Sequence, residues 1–184
     1  LLLKGIELCD TPMVALINSD VIITRDFSER VGKIINKYGT DIFLTGTRRE
    51  IELNTFINSP ETYRKVLKKP CKMGDTATSA EIFIGSADIM RAMAEKMPAF
   101  LVGRYGWDNW IHFWAEENFL DKYNCTDALP LYHCNHDYSH MEEQDSRPGI
   151  AVSSSEHNRS LLKPMQDKYG RAVRINTWKK AEIS

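Results

Sequence analysis

The stretch MVALINSDVII, residues 13–23, carries the pattern that decides the fold. Its first five residues, Met13–Ile17, form a continuous apolar run, which is typical of a buried strand in an α/β sheet. Three polar residues, Asn18, Ser19 and Asp20, follow before a second apolar run. Oxygen side chains at a strand end suit a divalent cation such as Mg²⁺ or Mn²⁺, although Asn and Asp are also common wherever strands end.

Helix and strand signals alternate along the rest of the chain. Apolar residues at helical spacing between Phe27 and Tyr38, with Gly39 after them, predict a helix. Ser59 followed by Pro60 predicts a helix start. Apolar runs predict strands near residues 41–44, 81–84, 99–102, 128–133 and 172–176, and polar segments predict loops at 45–50 and 135–155. This alternation predicts one α/β domain over residues 1–184, with a mainly parallel, mixed sheet flanked by helices.

Composition narrows the classes of function. The 24 Lys and Arg residues balance 25 Asp and Glu residues, so there is no overall positive field for nucleic acid. Lys4 and Glu7 interrupt the opening apolar residues, so we expect no membrane span there. Four cysteines without a CxxC pair favour a reducing, cytoplasmic setting. The oligomeric state stays open.

The segment VGRYGWDNWI, residues 102–111, places a carboxylate between two tryptophans at a predicted helix start. Aromatic faces pack well on sugar rings, and the Asp108 carboxylate is suited to accept a proton from a hydroxyl. The alternative interpretation makes Asp108 a helix cap and makes Trp107 and Trp110 core residues.

The segment HCNHDYSH, residues 133–140, holds three histidines in eight residues. Such density favours a transition-metal site, although the spacing matches no closed four-ligand zinc pattern. A metal-dependent hydrolase that uses His133, His136, Asp137 and His140 is therefore one alternative. A solvated polar loop is another.

Together, INSDVIITRDF (residues 17–27), VGRYGWDNWI and HCNHDYSH resemble three blocks, in the same order, of GT-A-type glycosyltransferase-like proteins. These are nucleotide-diphospho-sugar transferase domains of bacteria, viruses and plants, and the resemblance covers roughly residues 13 to 165. It implies a hexosyltransferase-like enzyme that moves a sugar from a nucleotide-diphosphate donor to a hydroxyl acceptor with Mn²⁺ or Mg²⁺. Because the family carries a longer nucleotide-binding part before its metal motif, we expect this chain to be the C-terminal portion of a GT-A-like domain.

The resemblance also implies the metal ligands. Asn18 stands at the first position of a DxD-type motif and Asp20 at the last, which makes Asp20 the principal ligand. A later histidine completes the coordination in this family, with His140 the first candidate and His136 the second. Asp137 would orient a neighbouring histidine.

The remaining implied roles concern the two substrates. Asp108 would be the catalytic base, and Ser19 and Asn18 would contact the donor. Trp107, Asn109 and Trp110 would shape the sugar or acceptor pocket. Arg48 and Arg49 would contact phosphate or acceptor, although an exposed, ion-paired loop explains them equally well. A non-catalytic, carbohydrate-binding relative of the transferases is a further alternative.

Overall fold

Six helices and nine strands alternate along the part of the chain that the computed structural model describes. That part comprises residues 2–51, 57, 59–68, 72–73, 80–101, 104–118, 121–134, 154–170 and 173–183. The helices are α1 (Leu2–Glu7), α2 (Phe27–Tyr38), α3 (Pro60–Leu67), α4 (Ala87–Lys96), α5 (Trp107–Asn118) and α6 (Ser154–Tyr169), with a short 3₁₀ helix at Ile175–Thr177. The strands are β1 (Met13–Ile17), β2 (Val21–Ile23), β3 (Phe43–Gly46), β4 (Arg49–Ile51), β5 (Lys72–Met73), β6 (Ile82–Ser86), β7 (Lys122–Asn124), β8 (Leu131–Cys134) and β9 (Lys179–Lys180).

The strands form two mixed sheets. The larger sheet has the order β1-β6-β3-β7-β9, and the smaller has the order β2-β8-β4-β5. The predicted α/β class with mixed sheets and flanking helices is confirmed. The prediction that the sheet is mainly parallel is wrong, because four of the seven pairings between described strands are antiparallel. Strand β6 runs antiparallel to both of its neighbours, and apolar periodicity carries no information about strand direction.

Helices cover both faces of the larger sheet. Along β3, Phe43 packs with the aromatic residues of α5, whereas its neighbour Leu44 packs with Ile34 of α2. Adjacent residues of a strand point to opposite faces, so the sheet separates two apolar cores. The smaller sheet has its own cluster, in which Val66 of α3 contacts Ile51 and Tyr132.

Local signals set several helix ends as predicted. The Ser59 hydroxyl accepts a hydrogen bond from the Thr62 amide at 3.2 Å, with Pro60 in the first turn of α3. Gly39, at φ 84°, ends α2 in a backbone conformation that favours glycine. No helix in the described ranges has both the length and the apolar character needed to cross a bilayer.

Some predicted segments differ from the structure. The expected loop at 45–50 is partly strand, because β3 extends to Gly46 and β4 begins at Arg49. Residues 99–101 form no strand, and a 3₁₀ helix occupies part of the strand expected at 172–176. Of the long loop expected at 135–155, residues 135–153 lie outside the described residues, and the last two begin α6.

A fully buried histidine joins α5 to β3. The ring of His112 lies between Phe83 and Trp178, with ring centroids 5.5 Å and 5.7 Å away. Its Nε2 is 3.2 Å from the hydroxyl of Thr45, and that hydroxyl donates to the Ile82 carbonyl at 3.1 Å. Because the hydroxyl proton is used, Nε2–H of His112 must be the donor to Thr45. Burial lowers the pKa of His112 to about 3.

Acid should therefore destabilise the protein through His112. The unfolded chain binds a proton near pH 6.5 whereas the native state resists it down to about pH 3, so this contribution to stability is lost as the pH falls through that interval. Between pH 7 and pH 5 we expect a loss of about 2 kcal/mol in the free energy of unfolding at this residue. Urea unfolding at the two pH values should show a smaller loss in His112→Gln, whose amide keeps a donor for Thr45 and does not titrate. Equal acid sensitivity of the two proteins would contradict this account.

Candidate functional site

Three side chains from different strand ends meet at one edge of the larger sheet. The carboxylate of Glu81, only 3% exposed, accepts a hydrogen bond from Asn18 Nδ2 at 2.5 Å and forms an ion pair with Arg48. Arg48 also contacts Glu50, at 3.5 Å between Nη2 and Oε1. We call Asn18, Arg48 and Glu81 the Glu81 cluster. A buried carboxylate is tolerated when it is paired and hydrogen-bonded in this way.

The strand register explains why these residues meet. Ile17, the last residue of β1, and Gly46, the last residue of β3, are both partners of Ile82, the first residue of β6. The residues just beyond β1 and β3 therefore lie beside the residue just before β6. Backbone hydrogen bonds reinforce the arrangement, because the Asn18 amide donates to the Glu81 carbonyl at 3.1 Å and the Glu81 amide donates to Gly46 at 2.9 Å.

Asp20 lies on the turn between β1 and β2, beside the strand that leads into the histidine-rich segment. Its Oδ2 is 3.1 Å from Nε2 of His133, which is 2% exposed, while the Asp20 side chain is 44% exposed. The pairing of Val21 with His133 in the small sheet produces this contact. Ser19 is exposed on the same turn. The Asp20 carboxylate is therefore partly exposed to solvent and contacts the His133 imidazole on one side.

Asp108 lies in the first turn of α5, partly buried. Its Oδ1 accepts hydrogen bonds from the Asn109 backbone amide at 2.8 Å and from Asn109 Nδ2 at 3.3 Å. Burial raises the pKa of Asp108, and the negative charge of nearby Glu81 raises it further. Asp108 is therefore within electrostatic reach of the Glu81 cluster, and its carboxyl group holds a proton more readily than an ordinary aspartate.

The backbone just before Asp108 depends on a glycine. Gly106 has φ 102°, and a Cβ placed there would lie 3.2 Å from Cδ2 of Leu162 on α6. Both facts disfavour any side chain at this position. The GWDNW segment therefore begins α5 close against α6.

The tryptophans of this segment are core residues. Trp107 is 8% exposed and packs edge-on against Phe83, with centroids 5.9 Å apart, and Trp110 is 6% exposed and packs near Phe100. Asn109 is also buried, and its Oδ1 finds no hydrogen-bond partner among the described residues. A role for Trp107, Asn109 and Trp110 in sugar binding stays a prediction, with only a small part of each side chain left for a ligand.

The other predicted residues lie apart from this group or outside the described chain. Arg49 is in β4, with its guanidinium carbon 6.0 Å from the centre of the Tyr132 ring, a cation–π contact. His136, Asp137 and His140 lie outside the described residues. Within the described ranges, no three or more His, Cys, Asp or Glu side chains are grouped closely enough to hold a metal ion.

Sequence reasoning missed Glu81 as a site residue. The signal was a carboxylate directly ahead of the apolar run that forms β6. A charged residue at the start of a buried strand needs a partner, and this partner, Arg48, is 33 residues away in the chain.

Comparisons with family models, with curated proteins and with solved structures found no significant match for this chain.

Removal of the Arg48 cation should strongly destabilise the protein. In Arg48→Met the Glu81 carboxylate stays buried without its counter-ion, and we expect a loss of about 3 kcal/mol in the free energy of unfolding. The double variant Arg48→Met/Glu81→Leu should recover much of that loss, because the buried carboxylate of Glu81 is removed together with its counter-ion. Denaturant unfolding of both variants and the wild type measures the difference.

Arg91→Met is the matched control. Arg91 forms an exposed ion pair with Asp88 at 3.0 Å, so its loss should cost less than about 1 kcal/mol. If Arg48→Met is as mild as this control, the Glu81 cluster is not a buried ion pair in solution.

Proposed function

We propose that this chain is a metal-dependent, hexosyltransferase-like glycosyltransferase of the GT-A type, which moves a sugar from a nucleotide-diphosphate donor to a hydroxyl acceptor. One observation supports the proposal: the first resembling segment contacts the third directly, and Glu81 links the first to the second. Asn18 of the first segment binds Glu81, and the charge of Glu81 raises the pKa of Asp108 in the second segment. His133 of the third segment contacts Asp20 of the first. Strand pairing brings Asn18 beside Glu81 and Asp20 beside His133, although these residues are 63 and 113 positions apart in the chain.

Asp108 is the proposed base. An acceptor hydroxyl becomes a better nucleophile when a carboxylate takes its proton during attack, and a base is more effective when its pKa lies closer to the working pH. Burial and the Glu81 charge both raise the pKa of Asp108 in that direction. The two hydrogen bonds from Asn109 go to Oδ1, so they fix the carboxyl group and direct Oδ2 elsewhere.

The residues around Asp20 fit a divalent cation. The proposed donors on this turn are the exposed Asp20 carboxylate and the Asn18 amide oxygen, because Asn18 Nδ2 already donates to Glu81. The contact of His133 Nε2 with Asp20 positions that carboxylate. Oxygen donors of this kind suit Mn²⁺ or Mg²⁺, which often take only one or two carboxylates and complete their shell with substrate phosphates. His140, or else His136, is the proposed further ligand, with Asp137 orienting it. A bound cation would neutralise charge on the departing diphosphate.

The contacts of Arg48 favour a positioning role over direct phosphate binding. Its guanidinium already contacts the carboxylates of Glu81 and Glu50, and these contacts join the ends of β3, β4 and β6. Ser19, exposed beside Asp20, remains the proposed contact to the sugar donor on this turn, and Arg49 remains a proposed phosphate or acceptor contact.

A cytoplasmic location is part of the proposal, supported by the free thiols of Cys9 and Cys125 among the described cysteines.

Substitution of Asp108 tests the proposal. Asp108→Asn keeps the shape of the side chain but cannot accept the acceptor proton, so kcat should fall by about 10² to 10⁴-fold. Release of nucleoside diphosphate from a panel of UDP- and GDP-sugars with Mn²⁺ measures turnover, and calorimetry measures donor binding, which should be retained.

In the wild type, kcat/KM should fall on acidification as Asp108 gains its proton, at a higher pH than an unperturbed aspartate would give.

Asp88→Asn is the control, because Asp88 occupies the equivalent first turn of α4 and its side chain is 93% exposed. It should leave turnover unchanged. Full turnover in Asp108→Asn would remove this residue from the role of base, and failure of every nucleotide sugar to bind would reject the transferase.

A further inference from the structure

A cleft opens at the other end of β2 from Asp20. It lies between residues 23–28, which lead from β2 into α2, and the first turn of α3, and its volume is about 620 Å³. That volume lies within the range of small-molecule sites. The Tyr63 hydroxyl donates to the Ile23 carbonyl at 2.5 Å, so a hydrogen bond joins the two walls. We call this space the α2–α3 cleft.

Two arginines from different walls line the cleft. Arg25 comes from the segment before α2 and is exposed, and it makes no ion pair with any described residue. Arg64 comes from α3, and its contact with Glu61 is long, at 3.9 Å between two exposed side chains. Such a pair contributes little and leaves the guanidinium open to a ligand. The nearby Asp26 carboxylate is already bound by Arg30 at 2.6 Å. Among the described residues, the two cleft arginines therefore have a single ion-pair contact, the long one between Arg64 and Glu61.

The start of α2 adds to the preference for an anion. Asp26 stands at the capping position, but its side chain makes no capping hydrogen bond among the described residues. Backbone amides in the first turn of a helix carry partial positive charge, and Ser28 in that turn lines the cleft. The Phe27 amide already donates to the Thr24 carbonyl at 3.1 Å, and Glu29, the acidic residue of the turn, is paired with Lys33 at 3.1 Å. Ile23, Phe27 and Pro60 supply apolar lining between the polar groups.

We propose that the α2–α3 cleft binds a small molecule that joins a phosphate group to an apolar body. The phosphate would lie between Arg25 and Arg64, and the apolar body would pack on Phe27 and Pro60. Phosphate fits better than a carboxylate because its oxygens point in several directions and accept from donors on both walls at once. The inference is independent of the proposed transferase activity, since it uses neither the Glu81 cluster nor Asp108.

Isothermal titration calorimetry with phenyl phosphate tests the proposal. The wild type should show saturable 1:1 binding, and Arg25→Ala and Arg64→Ala should each weaken it by about tenfold or more, because each removes charge-assisted hydrogen bonds. Arg91→Ala is the control, because Arg91 is an exposed arginine on a different helix. Its affinity should equal that of the wild type. Both cleft arginines are exposed, so the variants should fold, and circular dichroism checks this.

Two further ligands separate the contributions. Phenol has the ring without the phosphate and should bind at least about tenfold more weakly, and inorganic phosphate should compete with phenyl phosphate. Absence of saturable binding, or wild-type affinity in Arg25→Ala and Arg64→Ala, would overturn the proposal. So would equal binding of phenol, which indicates an apolar pocket only, or an equal loss in Arg91→Ala, which indicates non-specific attraction.

Discussion

The ion pair between Glu81 and Arg48 is the constraint around which the candidate site is organised. Removal of a carboxylate from water is costly, and the cost is offset only when the partners are held in place. Here the partners come from the residues beyond β1 and β3, while Glu81 itself precedes β6. Correct pairing of three strands is therefore a condition for neutralising this charge, and the same pairing sets the charge that Asp108 experiences.

The position of α5 follows from a second polar contact inside an apolar core. His112 and Asp108 are four residues apart, so they lie on the same face of the helix. The hydrogen bond between His112 and Thr45 fixes that face against β3, three residues before Arg48. A neutral, buried imidazole thus sets how far Asp108 stands from the strand ends, although it takes no part in the proposed chemistry.

Local features could be read from the sequence, and long-range ones could not. The caps at Ser59 and Gly39 act within a few residues, so the ends of α3 and α2 were predictable. Strand direction depends on how distant segments pair, which explains why the mainly parallel sheet was wrong. In the candidate site, Asp20 and Asp108 could be proposed from short stretches of sequence, whereas the contacts of Glu81 involve partners 33 and 63 residues away.

The short strand β2 limits where insertions and deletions can be tolerated in this protein. It is three residues long, and each of them pairs with β8 in antiparallel register, from Val21 opposite His133 to Ile23 opposite Leu131. Insertion or deletion of one residue there would turn every following side chain to the opposite face of the sheet. Such an event would separate the Asp20 turn from His133 and rotate the wall that carries Arg25. Length variation among descendants of this sequence should therefore avoid β2 and accumulate in the connections between elements instead.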